Sequence, residues 1–132
     1  MTSLFSPTRR AGNLLFLSGQ CGFDEDGALV PGGLAAETRR TLDNIADTLR
    51  SENLGLADLV SVTCYVTDIS SRAEMDRAYV RAFDGIPLPT RTTIEVAALP
   101  AGLSVEMTAV AFVDNGGAAL SPPSQAEIGA VS

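Results

Sequence analysis

Pro89-Thr90-Arg91-Thr92-Thr93-Ile94-Glu95-Val96-Ala97-Ala98-Leu99-Pro100-Ala101-Gly102-Leu103-Ser104-Val105-Glu106-Met107-Thr108-Ala109-Val110 is the stretch on which the fold turns. It reads as two strands joined by a Pro/Gly loop. Over 91–97 the alternation places Thr92, Ile94 and Val96 on one face and Arg91, Thr93, Glu95 and Ala97 on the other. Over 104–113, Val105, Met107, Ala109 and Ala111 share a face opposite Glu106, Thr108, Val110 and Phe112. Glu106 is the lone carboxylate in this apolar run. An unpaired buried carboxylate is costly, so Glu106 is either exposed, paired with a cation such as Arg91, or held for proton transfer. Arg91 is either a solvated strand-end arginine or a two-pronged clamp for a carboxylate.

Working outward, Ser71-Arg72-Ala73-Glu74 has the form of a capping box that starts a helix with Met75, Ala78, Tyr79, Ala82 and Phe83 as its apolar stripe. Leu59–Thr67 alternates as a strand, with Val60, Val62, Cys64 and Val66 on one side. Between 34 and 53, Thr38, Leu42, Ile45 and Leu49 recur at helical spacing, with Arg39 and Asp43 set for an i,i+4 pair and Gly55 as the C-terminal stop. The run from Leu14 to Phe23 reads as a strand bent at its glycines, and Asp26-Gly27 turns it into a second short strand, Ala28-Leu29-Val30. Residues 1–11 read as an arm laid on the surface or against a partner. The order is β-β-α-β-α-β-β, an α+β sandwich whose mixed sheet carries both helices on one face. Ser61, Thr63, Tyr65, Thr93 and Glu106 are expected on the opposite, semi-polar face, which suits packing against further copies of the chain. Residues 1–113 form one domain, and 114–132, small, polar and aperiodic, form a flexible tail.

Composition removes much chemistry. The nine basic residues are all arginine, with no lysine and no histidine, so Schiff-base, Ser-His-Asp and imidazole–metal catalysis are excluded. Cys21 and Cys64 are too few for a zinc motif and read as small buried hydrophobes. The Asp24-Glu25-Asp26 cluster lacks calcium-loop spacing and reads as a solvated turn. A net charge of −7 opposes binding to nucleic acid or an anionic membrane. With no long apolar segment near the N-terminus, the chain reads as cytoplasmic.

Gly12-Asn13-Leu14-Leu15-Phe16-Leu17-Ser18-Gly19-Gln20, Leu42-Asp43-Asn44-Ile45 and Tyr79-Val80-Arg81-Ala82-Phe83 resemble the Rid (RidA/YjgF) family of enamine/imine deaminases. Pro89–Val96 with Leu99-Pro100 and Val105-Glu106-Met107 resembles that family's signature of arginine, valine, leucine-proline and glutamate. The likeness runs from about residue 5 to 113. It implies a chorismate-mutase-like subunit assembled as a homotrimer, with sites in clefts between subunits and no metal or organic cofactor. By the same resemblance, Arg91 binds the carboxylate of a 2-enamino or 2-imino acid and Glu106 holds or activates the hydrolytic water. The backbone around Thr93, with Ser18 and Gly19, lines the pocket.

Two positions depart from the family pattern. Phe5 stands where the family has tyrosine, so any hydroxyl role there is lost or passes to water. Asp76 stands where asparagine is common and changes the polarity beside the site. The function implied is hydrolytic deamination of a small imino or enamino acid to a 2-keto acid and ammonia. The alternatives are a pathway-specific enzyme for a larger enamine or imine, and a non-catalytic trimer that binds a metabolite or acts as a chaperone.

Overall fold

The computed structural model describes residues 3–114, 120–124 and Ser132. Five strands and two helices alternate as β1 (Thr8–Ala11), β2 (Leu14–Cys21), α1 (Gly33–Arg50), β3 (Leu59–Val66), α2 (Arg72–Ala82), β4 (Thr90–Glu95) and β5 (Val105–Phe112). The sheet order is β1-β2-β5-β3-β4, antiparallel except for the parallel β3–β4 edge pair. That parallel pair follows from connectivity, since β3 reaches β4 only through the crossover helix α2.

Both helices lie on one face of the sheet. Leu15 and Leu17 of β2, Val62, Cys64 and Val66 of β3, and the alternate residues of β5 from Val105 to Ala111 are buried there. They pack against Leu42, Ile45 and Leu49 of α1 and Met75, Tyr79 and Phe83 of α2. Each of the larger aliphatic side chains contributes roughly 1.5–3 kcal/mol by leaving water. The helical and strand periods of the sequence thus locate the core, except at the start of β3, where an irregularity between Leu59 and Ser61 buries Leu59 in place of the expected Val60. Cys64 is fully buried and Cys21 half-buried, and both thiols are free.

The structure corrects several local expectations. The element order holds, but its first two members differ. Residues 8–11, expected as a loose arm, form β1 and pair with β2 across a turn at Gly12, whose φ of 59° suits glycine. Ala28-Leu29-Val30 is not a sheet strand; the turn at 24–27 forms, and Phe23 and Leu29 meet in an isolated bridge. Helix α1 ends at Arg50, with Asn53 at φ 61° in the reversing turn in place of the expected Gly55. Its surface ion pair joins Arg50 to Asp47 at 2.7 Å and not Arg39 to Asp43.

The capping box at Ser71 does not form. Ser71 makes no side-chain cap; its hydroxyl donates to Asp68 Oδ2 at 3.1 Å. Glu74 reaches instead across to α1, where Ala35 N–H donates to its Oε1 at 3.2 Å. The first N–H groups of α1 have no side-chain cap of their own at Gly32, so the neighbouring helix supplies an acceptor. The expectation of a flexible tail falls partly on 115–119 and 125–131, outside the described residues.

Candidate functional site

Register decides where each candidate side chain lies. Arg91 pairs with Val62 and Thr93 with Cys64 across the parallel β3–β4 edge. Paired residues in a sheet project to the same side, so Arg91 and Thr93 face the helices. Thr93 was expected on the open face beside Glu106. It lies on the other, with its hydroxyl buried against the Cys64 thiol.

Arg91 sits where β4 passes α2. Its guanidinium carbon is 4.9 Å from the Tyr79 ring centroid, a cation–π contact, and its Nη1 is 2.8 Å from Asp76 Oδ1. Asp76 and Tyr79 are three residues apart on α2, so one helix face presents both. The side chain of Arg91 is only 14% exposed, far from the solvated strand-end reading. Its Nε and Nη2 both donate to the backbone oxygen of Ser132, at 2.9 and 2.6 Å. Arg91, Asp76, Tyr79, Val80 and Leu88 line a cavity of about 440 Å³.

Two other neighbours of Arg91, Tyr79 and Cys64, stay neutral. Burial, reinforced by the Cys64 thiol, pushes the Tyr79 hydroxyl well above the ordinary range. Burial likewise raises Cys64 to about 11, against the opposing pull of Arg91. Neither is a nucleophile or base at neutral pH.

Glu106 lies across the sheet. On β5 it alternates with buried Val105 and Met107, and it pairs with Tyr65 of β3 and Cys21 of β2. Its carboxylate rests over Gly19, where a Cβ would come within 2.7 Å of Oε2. Gly19 falls in the β2 irregularity between Leu17 and Gln20, which lets the strand carry a bare backbone under a carboxylate. Cys21 registers the same group: its thiol is raised first by burial and then by Glu106.

Ser18 secures the surrounding chain. Its N–H donates to Pro7 oxygen at 2.9 Å and its hydroxyl to Ser6 oxygen at 2.6 Å, so the hydroxyl is already engaged. Phe5, 69% exposed, lines a second cavity with Pro7, Ser18 and Gly19, and offers it no polar atom.

Arg91 and Glu106 therefore do not meet within one chain. The main-chain layer separates their faces, and β3 stands between their strands, which spaces them by about 10 Å in the sheet plane. Of the candidate residues, Arg91, Thr93 and Asp76 lie on the helix side and Glu106 on the other face over Gly19, while Phe5, Ser18 and Gly19 line a cavity that Arg40, Asn44 and Thr48 of α1 also wall.

Two contributors carry little mark in the sequence. Tyr79 reads as core and is core, yet its ring also supports Arg91. Glu37 is buried on α1, and its Oε1 accepts from Ser104 N–H at 2.8 Å. That bond anchors the loop leading into β5, two residues before Glu106. Among the described residues, no three His, Cys, Asp or Glu side chains gather as a metal-binding group, and no helix is long and apolar enough to cross a membrane.

Residues 2–113 match the family described as Endoribonuclease L-PSP. A RutC family protein of Pyrococcus horikoshii is 35% identical over 109 residues, covering 82% of this chain and 86% of its own. The 2-iminobutanoate/2-iminopropanoate deaminase of Rattus norvegicus is 36% identical over 98 residues, covering 74% and 71%. Among solved structures, YyfA of Yersinia pestis, a Rid-family protein described as of unknown function, superposes with a TM-score of 0.81 at 31% identity. That match covers 86% of this chain and 90% of YyfA.

Proposed function

The chain belongs to the endoribonuclease L-PSP family, that of the Rid proteins, and on that premise we propose that it hydrolyses 2-imino acids and their enamine tautomers to 2-keto acids and ammonia. The observation that carries this reading is the Nε/Nη2 edge of Arg91. Its Nε and Nη2 converge on one oxygen at 2.9 and 2.6 Å, in a cavity walled by Tyr79 and Leu88. The backbone oxygen of Ser132 stands there in place of a ligand carboxylate oxygen. A guanidinium braced from below by an aromatic ring and from the side by a carboxylate is preorganised for such a ligand.

The base comes from a second copy of the chain. Glu106 occupies the sheet face that the helices leave bare, beside Tyr65 and with Phe16 exposed on the same sheet. An uncovered sheet face of this kind suits packing between copies. In a closed trimer, Arg91 of one subunit would share a cleft with Glu106 of the next.

The chemistry is short. Arg91 fixes the substrate carboxylate beside the electrophilic C2 of the iminium. Water bonds to C2 and passes a proton to Glu106. Ammonia leaves the carbinolamine with that proton, and loss of the hydroxyl proton forms the keto group. General-base help of this kind contributes about 10²–10⁴ in rate. RNA cleavage, the activity in the family's description, is opposed by a net charge of −7 and the absence of lysine and histidine. The similarity to the rat protein, named as an imine deaminase, favours the same chemistry here.

Subunit mixing tests the whole arrangement. Arg91→Ala and Glu106→Gln are each expected to be inactive in releasing keto acid from an imino acid generated in situ. Refolded together in equal amounts, random trimers would regain roughly a quarter of wild-type activity, because each mixed ring has one site built from two intact halves. Mixtures as inactive as the parents would rule out a site shared between subunits; active parents would rule out the residues.

A further inference from the structure

Glu37 is the one buried carboxylate among the described residues, and the reaction proposed for the chain makes no direct use of it. It stands where a strand pairing ends. The β2–β5 ladder stops at Cys21 opposite Glu106, so Glu106 is the last residue of β5 that β2 holds. On the other side, β3 continues past it, pairing Val66 with Val105. Beyond Glu106, the β2 side of β5 has no ladder to fix it.

Glu37 reaches from α1 to both strands just past that stop. Gly22, the residue after Cys21, lies flat against its stem: a Cβ there would come within 3.0 Å of Glu37 Cα and 3.1 Å of its Cβ and Cγ. Its Oε1 accepts from Ser104 N–H at 2.8 Å, two residues before Glu106. The Cys21 thiol, raised first by burial, is raised further by Glu106 and in smaller measure by Glu37, so both carboxyl groups act on one junction. An apolar side chain would fill a buried helix position at less cost than a carboxyl group. What the carboxyl adds is an acceptor at a fixed point, in the stronger class of hydrogen bond.

We propose that Glu37 is a positioning residue for the reaction: by tying Ser104 and the end of β2 to α1, it holds the Glu106 carboxylate over Gly19, where the attacking water is deprotonated. The inference rests on the reading of Glu106 as the base. Without the tie, the first residues of β5 are held from the β3 side alone. A displacement of about 1 Å in a reacting group can cost on the order of 10² in rate. Substrate binding is spared, because Arg91 stands on β4, on the far side of β3 and on the other face of the sheet.

Steady-state rates of keto-acid release from an imino acid generated in situ, taken below every melting transition, test this. Glu37→Ala is expected to lower kcat by about tenfold or more with KM within about twofold of wild type. Glu37→Gln keeps an acceptor of the same length and should restore kcat to within about threefold; Glu37→Asp, one methylene too short to reach Ser104 N–H, should behave as the alanine variant does. Glu74→Ala, which removes a carboxylate acceptor from the start of α1, is the control for stability alone and should keep its kcat. A wild-type kcat in Glu37→Ala overturns the proposal, as does a kcat in Glu74→Ala that falls equally or a glutamine variant that is not rescued. If the alanine variant fails to fold, a wild-type kcat in Glu37→Asp overturns it in the same way. Glu106→Gln separates the two levels: its retaining full activity would sink the base itself, whereas an inactive Glu106→Gln beside a fully active Glu37→Ala sinks the positioning role only.

Discussion

Replacing Gly19 by alanine separates the position of Glu106 from the stability of the fold. The new Cβ would stand 2.7 Å from Glu106 Oε2 and 3.1 Å from its Cδ. Carbon–oxygen contacts settle at about 3.3–3.6 Å, so the oxygen must withdraw by roughly 0.6–0.9 Å. It can do so cheaply, as the tip of a flexible side chain. The backbone at Gly19 is outside the left-handed region, so alanine adds no strain there. Stability should change by no more than about 1 kcal/mol. Catalysis should suffer more, because a misplacement of about 1 Å in a reacting group can cost on the order of 10²-fold. The expected result is a kcat lowered 10–100-fold (an order-of-magnitude range), with KM nearly unchanged, since the Arg91 clamp lies on the other face. Initial rates of keto-acid release, with a thermal melt of the same sample, provide the readout. A Gly19→Ala protein that keeps its wild-type kcat would refute the role assigned to the Glu106 carboxylate. Activity lost only together with the melting transition would refute the separation of site from fold.

Two further outcomes concern stability. Cys64 has its thiol raised from 9.0 to about 11 by burial, so the folded state holds a proton that the unfolded chain releases earlier. Its contribution is fully present below pH 9 and is lost as pH rises toward 11, on the order of 2–3 kcal/mol across that window; the melting temperature should fall there in wild type and fall less in Cys64→Ala. An identical alkaline slope in both proteins would exclude the thiol as the cause. Glu74→Ala, which removes the acceptor for Ala35 N–H, should cost about 1 kcal/mol and lower the melting temperature by roughly 3–5 °C. Glu74→Gln keeps an acceptor and should recover most of the loss; if neither variant melts differently from wild type, the cross-helix cap contributes nothing.

How much of this was legible depended on whether the signal was local. Helical spacing from Thr38 to Leu49 and alternation from Val105 to Ala111 follow from backbone geometry within one element, and both core faces are where the residues indicate. Strand β1 was not legible. Thr8-Arg9-Arg10-Ala11 has no apolar pattern and is a strand only because β2 offers it hydrogen bonds. The Ser71–Glu74 spacing misled for the opposite reason: the motif is local, but α1 provides Glu74 with a more needy N–H than its own helix does. Glu37 and Tyr79 were not legible as site supports, since nothing in an amphipathic stripe says what its members touch beyond the core.

By itself the sequence determined the two-helix α+β class, the family and the pair of residues, Arg91 and Glu106, on which the chemistry is proposed to depend. Their relation was decided only in three dimensions. Alternation says that Arg91 and Thr93 share a face and that Glu106 opposes Val105 and Met107, but it cannot orient one strand against another. That orientation comes from register: Val62 beside Arg91 and Tyr65 beside Glu106 turn the two side chains to opposite faces of the sheet. A one-residue shift in either pairing would have reversed the answer. Because the pairing stands as it does, the cation and the carboxylate are separated within each chain by the backbone that holds them.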